Sequence, residues 1–94
     1  MPSMRYLAEL YLPNRQTDLQ VLAARAHGAA EQASRAGPPV QFITAIHAVE
    51  DENCFMIYEA ATAAAVVAAG SLAGILFDRV VSVTTAGLDP AWPG

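Results

Sequence analysis

The 94-residue chain is long enough for one domain with one core, and two domains would each fall short of that size. Hydrophobic residues reach 54%, but 20 residues are alanine, so packing bulk rests on Leu, Ile, Val, Met and a few aromatics. A formal net charge of −4, five scattered arginines and no lysine exclude Schiff-base chemistry, a lysine-dependent phosphate loop and a basic stripe for nucleic acid.

Met4 to Leu12 (MRYLAELYL) alternates loosely and carries Tyr6, Leu7 and Tyr11, which predicts a first strand. The start MPSMRYLAEL has no charged-then-apolar signal region, so a cytoplasmic location is expected. Pro13 ends the strand, residues 14–17 read as a polar turn, and Thr17 or Asp18 offers a helix cap. From Asp18 to Ala36, Leu19, Leu22, Ala23, Ala26, Ala30 and Ala33 recur at helical steps. Gln20, His27, Glu31 and Arg35 fall opposite, and Gly37-Pro38-Pro39 stops the helix, with Gly37 expected as a left-handed cap.

Val40 to Val49 and Cys54 to Ala60 read as a hairpin joined by an acidic link, Glu50-Asp51-Glu52-Asn53. A tight turn centred on Asp51-Glu52 sets Val49 opposite Cys54. Alternation then groups Phe42, Ile46, Phe55 and Ile57 on one face, and Ile43, His47, Val49, Cys54, Met56 and Tyr58 on the other. The first group is bulkier, so it is assigned to the helices and the second to an open face. Glu59 shares the helix-facing side, where a carboxylate needs a partner, and Arg79 is the expected one.

Thr62 can cap a second helix through AAAVVAAGSLA, with Gly70 and Gly74 weakening its end. Residues 60–77 hold no charge over 18 positions, yet they are mostly Ala, Gly, Ser and Thr, which predicts a buried soluble helix and not a membrane span. Asp78 to Ala86 is a β-branched strand. The domain is therefore expected over 1–86, with a tail over 87–94 that carries Trp92.

The order β-α-β-β-α-β with right-handed crossovers predicts an α+β, ferredoxin-like domain: a four-stranded antiparallel sheet with two helices on one face. The face left open, together with a charged fraction of 15% against the usual quarter, leads us to expect a homodimer formed through the sheet.

One cluster could carry chemistry. His47 and Cys54 share a face on adjacent strands, and Glu9 is expected to point to it from the first strand. Imidazole nitrogen and thiolate sulfur suit nickel, copper or zinc, so His47, Cys54 and Glu9 are the candidate metal ligands. The alternative is a cofactor-independent enzyme or small-molecule binder on the open face or dimer cleft. There His47 would be the base and Tyr58 or Tyr11 the hydrogen-bond donor. His27 and the hairpin carboxylates Glu50, Asp51 and Glu52 read as solvated groups. The single cysteine closes no disulfide within the chain.

Tyr6-Leu7-Ala8-Glu9-Leu10-Tyr11-Leu12-Pro13, Tyr58-Glu59-Ala60, Ala73-Gly74, and Asp78-Arg79-Val80 with Val83 stand in the order and spacing of a small bacterial family. The chain resembles ferredoxin-like domains of unknown function that include nickel-binding, nickel-responsive proteins. That resemblance implies a dimeric fold, a cytoplasmic location and binding of a divalent metal such as nickel. The chain departs from the family in having Met56 where members often carry cysteine, and no histidine near Ala69, so no complete ligand set carries over.

Overall fold

The computed structural model describes residues 3–13 and 18–86. Its elements are β1 (Met4–Tyr11), α1 (Leu19–Ala36), β2 (Val40–Ala48), β3 (Asn53–Ala60), α2 (Ala63–Leu72) and β4 (Arg79–Val83). All four strands pair antiparallel in the order β2-β3-β1-β4, the arrangement that βαβ crossovers of one hand produce. The element order and sheet are those expected of a ferredoxin-like domain. The expected turn at 14–17 and the tail at 87–94 lie outside the described residues.

Each helix starts where a side chain satisfies its orphan amides. Asp18 caps α1: its Oδ1 accepts from Gln20 N at 2.9 Å and from Val21 N at 3.4 Å. Thr62 Oγ1 accepts from Ala65 N at 3.2 Å at the start of α2. The ends differ from expectation at α1. Gly37 has φ −161° and is extended, because the following Pro38 disfavours helical backbone in the residue before it. Ser34 fastens the turn instead, donating from Oγ to Val40 O at 2.7 Å and accepting from Val40 N at 2.9 Å. At α2 it is Gly74, at φ +75°, that takes the left-handed position. Arg25 on α1 donates from Nη2 to Ala73 O at 2.8 Å, tying the end of α2 to its neighbour.

The sheet face that meets the helices is the reverse of the expected one. Tyr6, Ala8 and Leu10 of β1 and Cys54, Met56 and Tyr58 of β3 are buried beneath Leu22, Ala26, Ala29 and Ala30 of α1 and Ala65, Val66 and Ala69 of α2. The physical reason is volume. The helices contribute mostly alanine, so they come close to the sheet, and Tyr6, Leu10, Met56 and Tyr58 must supply the bulk. Tyr58 is the centrepiece, edge-on to Phe42 (centroids 5.5 Å apart) and to Phe77 (5.9 Å apart).

The hairpin register also moves. His47, and not Val49, stands opposite Cys54, because residues 49–52 form a four-residue turn with Glu52 at φ +56°. A bulge between Phe42 and Thr44 shifts the pairing, so Phe42 joins Tyr58 on the helix side while Ile46 stays opposite Phe55 on the open side.

The uncharged stretch 60–77 predicts a buried helix, but α2, which lies within it, covers the sheet with one side only. Ala65, Val66, Ala69 and Gly70 face the core, while Val67 and Leu72 are about half exposed. Gly70 is required by close approach: a Cβ there would run into the Phe77 ring, which is itself held against Tyr58. Gly70→Ala should therefore destabilise the fold by about 1–3 kcal/mol, against the roughly 1 kcal/mol that alanine gains over glycine in an open helix. A thermal melt checks the sign, since an unstrained helix site would raise the midpoint.

Candidate functional site

The covered face of the β2–β3 hairpin brings His47 and Cys54 together as a directly opposed cross-strand pair. Opposed residues in an antiparallel ladder have Cβ atoms about 4.5–5.5 Å apart, close enough for both side chains to reach one ion. Cys54 is fully buried, and burial pushes its thiol pKa up. His47 is half-buried at the strand edge, with Nε2 3.3 Å from Leu12 O. A carbonyl oxygen only accepts, so the ring donates from Nε2 in that contact.

Glu9 is not part of this group. It stands opposite Phe55 and in register with Arg79, on the other side of the sheet from Cys54. The expected His47–Cys54–Glu9 set is thus split across the sheet by strand parity, and no cluster of three or more His, Cys, Asp or Glu side chains occurs among the described residues. The donors that remain, one imidazole and one thiol, match a borderline transition ion in type. They form half of a coordination sphere.

The acid–base set of the alternative reading is dispersed too. Tyr58 is fully buried, and its hydroxyl donates to Met56 Sδ at 3.8 Å. Burial first, and the neighbouring Cys54 second, push the Tyr58 pKa up to about 12. Tyr11 lies in register with Asn53 on the open side, exposed, and its phenol donates to Glu52 Oε1 at 3.2 Å. The Glu52 carboxylate raises its pKa. Tyr58 is a core aromatic, Tyr11 is a surface group with its donor engaged, and His47 reaches neither as a catalytic partner.

Glu59 also changes sides. It faces outward with Phe55 and Ile57, and its partner is Arg5, not Arg79: Arg5 Nε donates to Glu59 Oε2 at 3.2 Å, and Arg5 Nη1 to Thr85 Oγ1 at 3.3 Å. Asp78 is occupied at the β1–β4 junction, where Oδ2 accepts from Tyr11 N at 2.8 Å. His27 and Glu31 form an exposed pair at 4.0 Å, as their spacing of one helical turn predicts.

Sequence reasoning missed one concavity. A groove of about 870 Å³ runs between the second half of α1 and the adjoining ends of β2 and β3. Val40, Phe42 and Ala60 give it an apolar floor, while Glu31, Arg35 and Gln41 stand on its walls. The signal was present in the outward row His27–Glu31–Arg35, but nothing in the sequence showed what that row would face.

Two helices over one face of a β2-β3-β1-β4 sheet define a ferredoxin-like α+β domain. A similar solved structure is that of SCO4226 from Streptomyces coelicolor A3(2), with a TM-score of 0.67 and 19% identity over 88% of this chain and 99% of that one. At that identity the likeness is one of fold. No family model and no curated relative matches the chain. Among the described residues no helix is long and apolar enough to cross a membrane.

Proposed function

We propose that the chain is a small homodimeric binding protein that takes a divalent transition metal such as nickel on His47 and Cys54. The observation that carries this reading is their direct opposition on β2 and β3, which sets an imidazole-bearing and a thiol-bearing residue on one face of neighbouring strands. The family resemblance of the sequence supports nickel among the ions such donors accept. Glu9 is left out of the ligand set, and water would complete the coordination from the half-buried His47 side, since Cys54 is fully buried. The dimer would form through the open sheet face, in keeping with a cytoplasmic protein of low charge content.

Calorimetric titration of tag-free protein with nickel tests the reading. Saturable binding near one ion per chain is the expected result. Absence of binding below the millimolar range would overturn it.

The groove beside α1 favours a second reading, a binder of small organic molecules, because its volume falls in the range of known ligand pockets, about 300–1,000 Å³. Ligand-induced shifts at Phe42 and Arg35 with metal chelated, and none at His47, would favour that reading over the first.

A further inference from the structure

The open face has a charge pattern that specifies how a second copy would lie on it. Four rows cross the strands. The first holds Gln41, Glu59, Arg5 and Val83; the second holds Thr44, Ile57, Leu7 and Val81; the third holds Ile46, Phe55, Glu9 and Arg79; the fourth holds Ala48, Asn53 and Tyr11. Along β1 the outward residues are therefore Arg5, Leu7, Glu9 and Tyr11, and the first three read as a cation, an apolar centre and an anion, with the two charges about 14 Å apart at the rise of an extended strand.

The two charges are not equally satisfied. Arg5 is paired with Glu59 inside the chain. Glu9 is half-buried between Phe55 and Arg79, yet it makes no ion pair within 4.0 Å among the described residues, although Arg79 is its register neighbour. Covering this face would bury the Glu9 carboxylate, and an uncompensated buried charge is costly. A cation set over Glu9 by whatever occupies the face would offset that cost.

We propose that the occupant is a second copy of this chain, packed face to face about a twofold axis that lies in the interface and crosses β1 at Leu7, perpendicular to the strand. This rests on the homodimer of the preceding subsection and adds its orientation. Such an axis reverses β1 on itself. Leu7 meets its own mate, Arg5 lies over Glu9 of the partner subunit, and the same contact recurs at the other end. Arg5 keeps Glu59 through Nε and turns the rest of its guanidinium to the second carboxylate.

Other in-plane axes fit less well. One along β1 stacks Arg5 on Arg5 and Glu9 on Glu9. One along the β1–β3 seam lays Arg5 over a Glu59 already paired and sets Glu9 on the Phe55 ring with no cation over it, whereas the axis at Leu7 sets on that ring only Glu59, which keeps Arg5. One along the β1–β4 seam matches Glu9 to Arg79 but leaves Phe55 and Ile46 uncovered.

Light scattering and native mass spectrometry test this with complementary variants. Wild type should be a dimer at micromolar concentration; a monomer would overturn the homodimer itself. Glu9→Arg alone and Arg5→Glu alone should each raise the dissociation constant at least about tenfold, because each homodimer sets like charges together. Mixed one to one, the two variants should form a heterodimer in preference to either homodimer, since both cross-subunit contacts become opposite in sign. A wild-type dimer whose variants gain nothing from mixing would overturn the orientation and leave the homodimer standing. If circular dichroism shows that either reversal fails to fold, Glu9→Gln replaces it. That variant should weaken the dimer and flatten its salt dependence, and an unchanged salt dependence would contradict the proposal.

Discussion

Tyr58→Ala should cost about 3–5 kcal/mol, enough to leave a domain of this size marginally folded or unfolded at room temperature. The side chain is completely buried, and it is the ring against which both Phe42 and Phe77 pack edge-on. Its removal leaves a cavity that the alanine-rich helices cannot fill. Tyr58→Phe, by contrast, should lie within about 0.5 kcal/mol of wild type at neutral pH, because the lost hydroxyl contacts only a weak thioether acceptor at 3.8 Å. The pair separates packing from hydroxyl chemistry, and urea unfolding of both variants measures the difference. A Tyr58→Phe chain that folded normally but lost a ligand would revive a donor role for the phenol.

The same residue sets an alkaline limit. With its pKa raised from 10.0 to about 12, folded Tyr58 keeps its proton where the unfolded chain has lost it. Its contribution is therefore fully present below about pH 10 and is lost as pH rises toward 12, amounting to roughly 2–3 kcal/mol. Urea midpoints should fall steeply across that window in wild type and less steeply in Tyr58→Phe. Equal slopes would show that the phenol ionises as easily in the folded chain as in the unfolded one.

Loss of either proposed donor should have the largest effect on metal binding. His47→Ala and Cys54→Ala are each expected to weaken nickel binding by about 100-fold, since a site with two protein donors keeps only one in either variant. Cys54→Ala should fold, because the position is small and buried and alanine removes only one sulfur atom. Glu9→Gln should leave nickel affinity unchanged, because Glu9 lies across the sheet from Cys54. Calorimetric titrations of the three variants decide this. A drop in Glu9→Gln equal to that in His47→Ala would contradict the strand parity on which the site rests.

Much of the fold was legible in the sequence because its punctuation is local. Pro13, Asp18, the Gly37-Pro38-Pro39 stop, the acidic hairpin link and Thr62 each act within a few residues, and they bound elements that the structure reproduces to within one or two positions at most ends. Which side of the sheet meets the helices was harder. Alternation groups residues by face without saying which face is covered, and judging by the bulk of Phe55 and Ile57 gave the wrong answer. The decisive signal was charge: Arg5, Glu9 and Glu59 are in phase with Phe55 and Ile57 once β1 and β3 are in register. Three charged groups on one face identify the side that helices do not cover.

The candidate site was half legible for the same reason. His47 and Cys54 lie on neighbouring segments of one hairpin, so their shared face survived both the two-residue register error and the bulge, which falls beyond them at residues 42–44. Glu9 belongs to a strand distant in sequence, and its face depends on a long-range register that local patterning does not contain. The groove beside α1 depends on how a helix sits against two strand ends, which is again long-range information.

The most direct test of the proposed metal site is the near-ultraviolet absorption of the tag-free protein on adding nickel, because a sulfur-to-nickel charge-transfer band reports the bond from Cys54 itself. The expected result is a band that saturates near one ion per chain and is absent from both Cys54→Ala and His47→Ala. Saturable nickel binding with no such band, or a band that survives in Cys54→Ala, would contradict the assignment of the site.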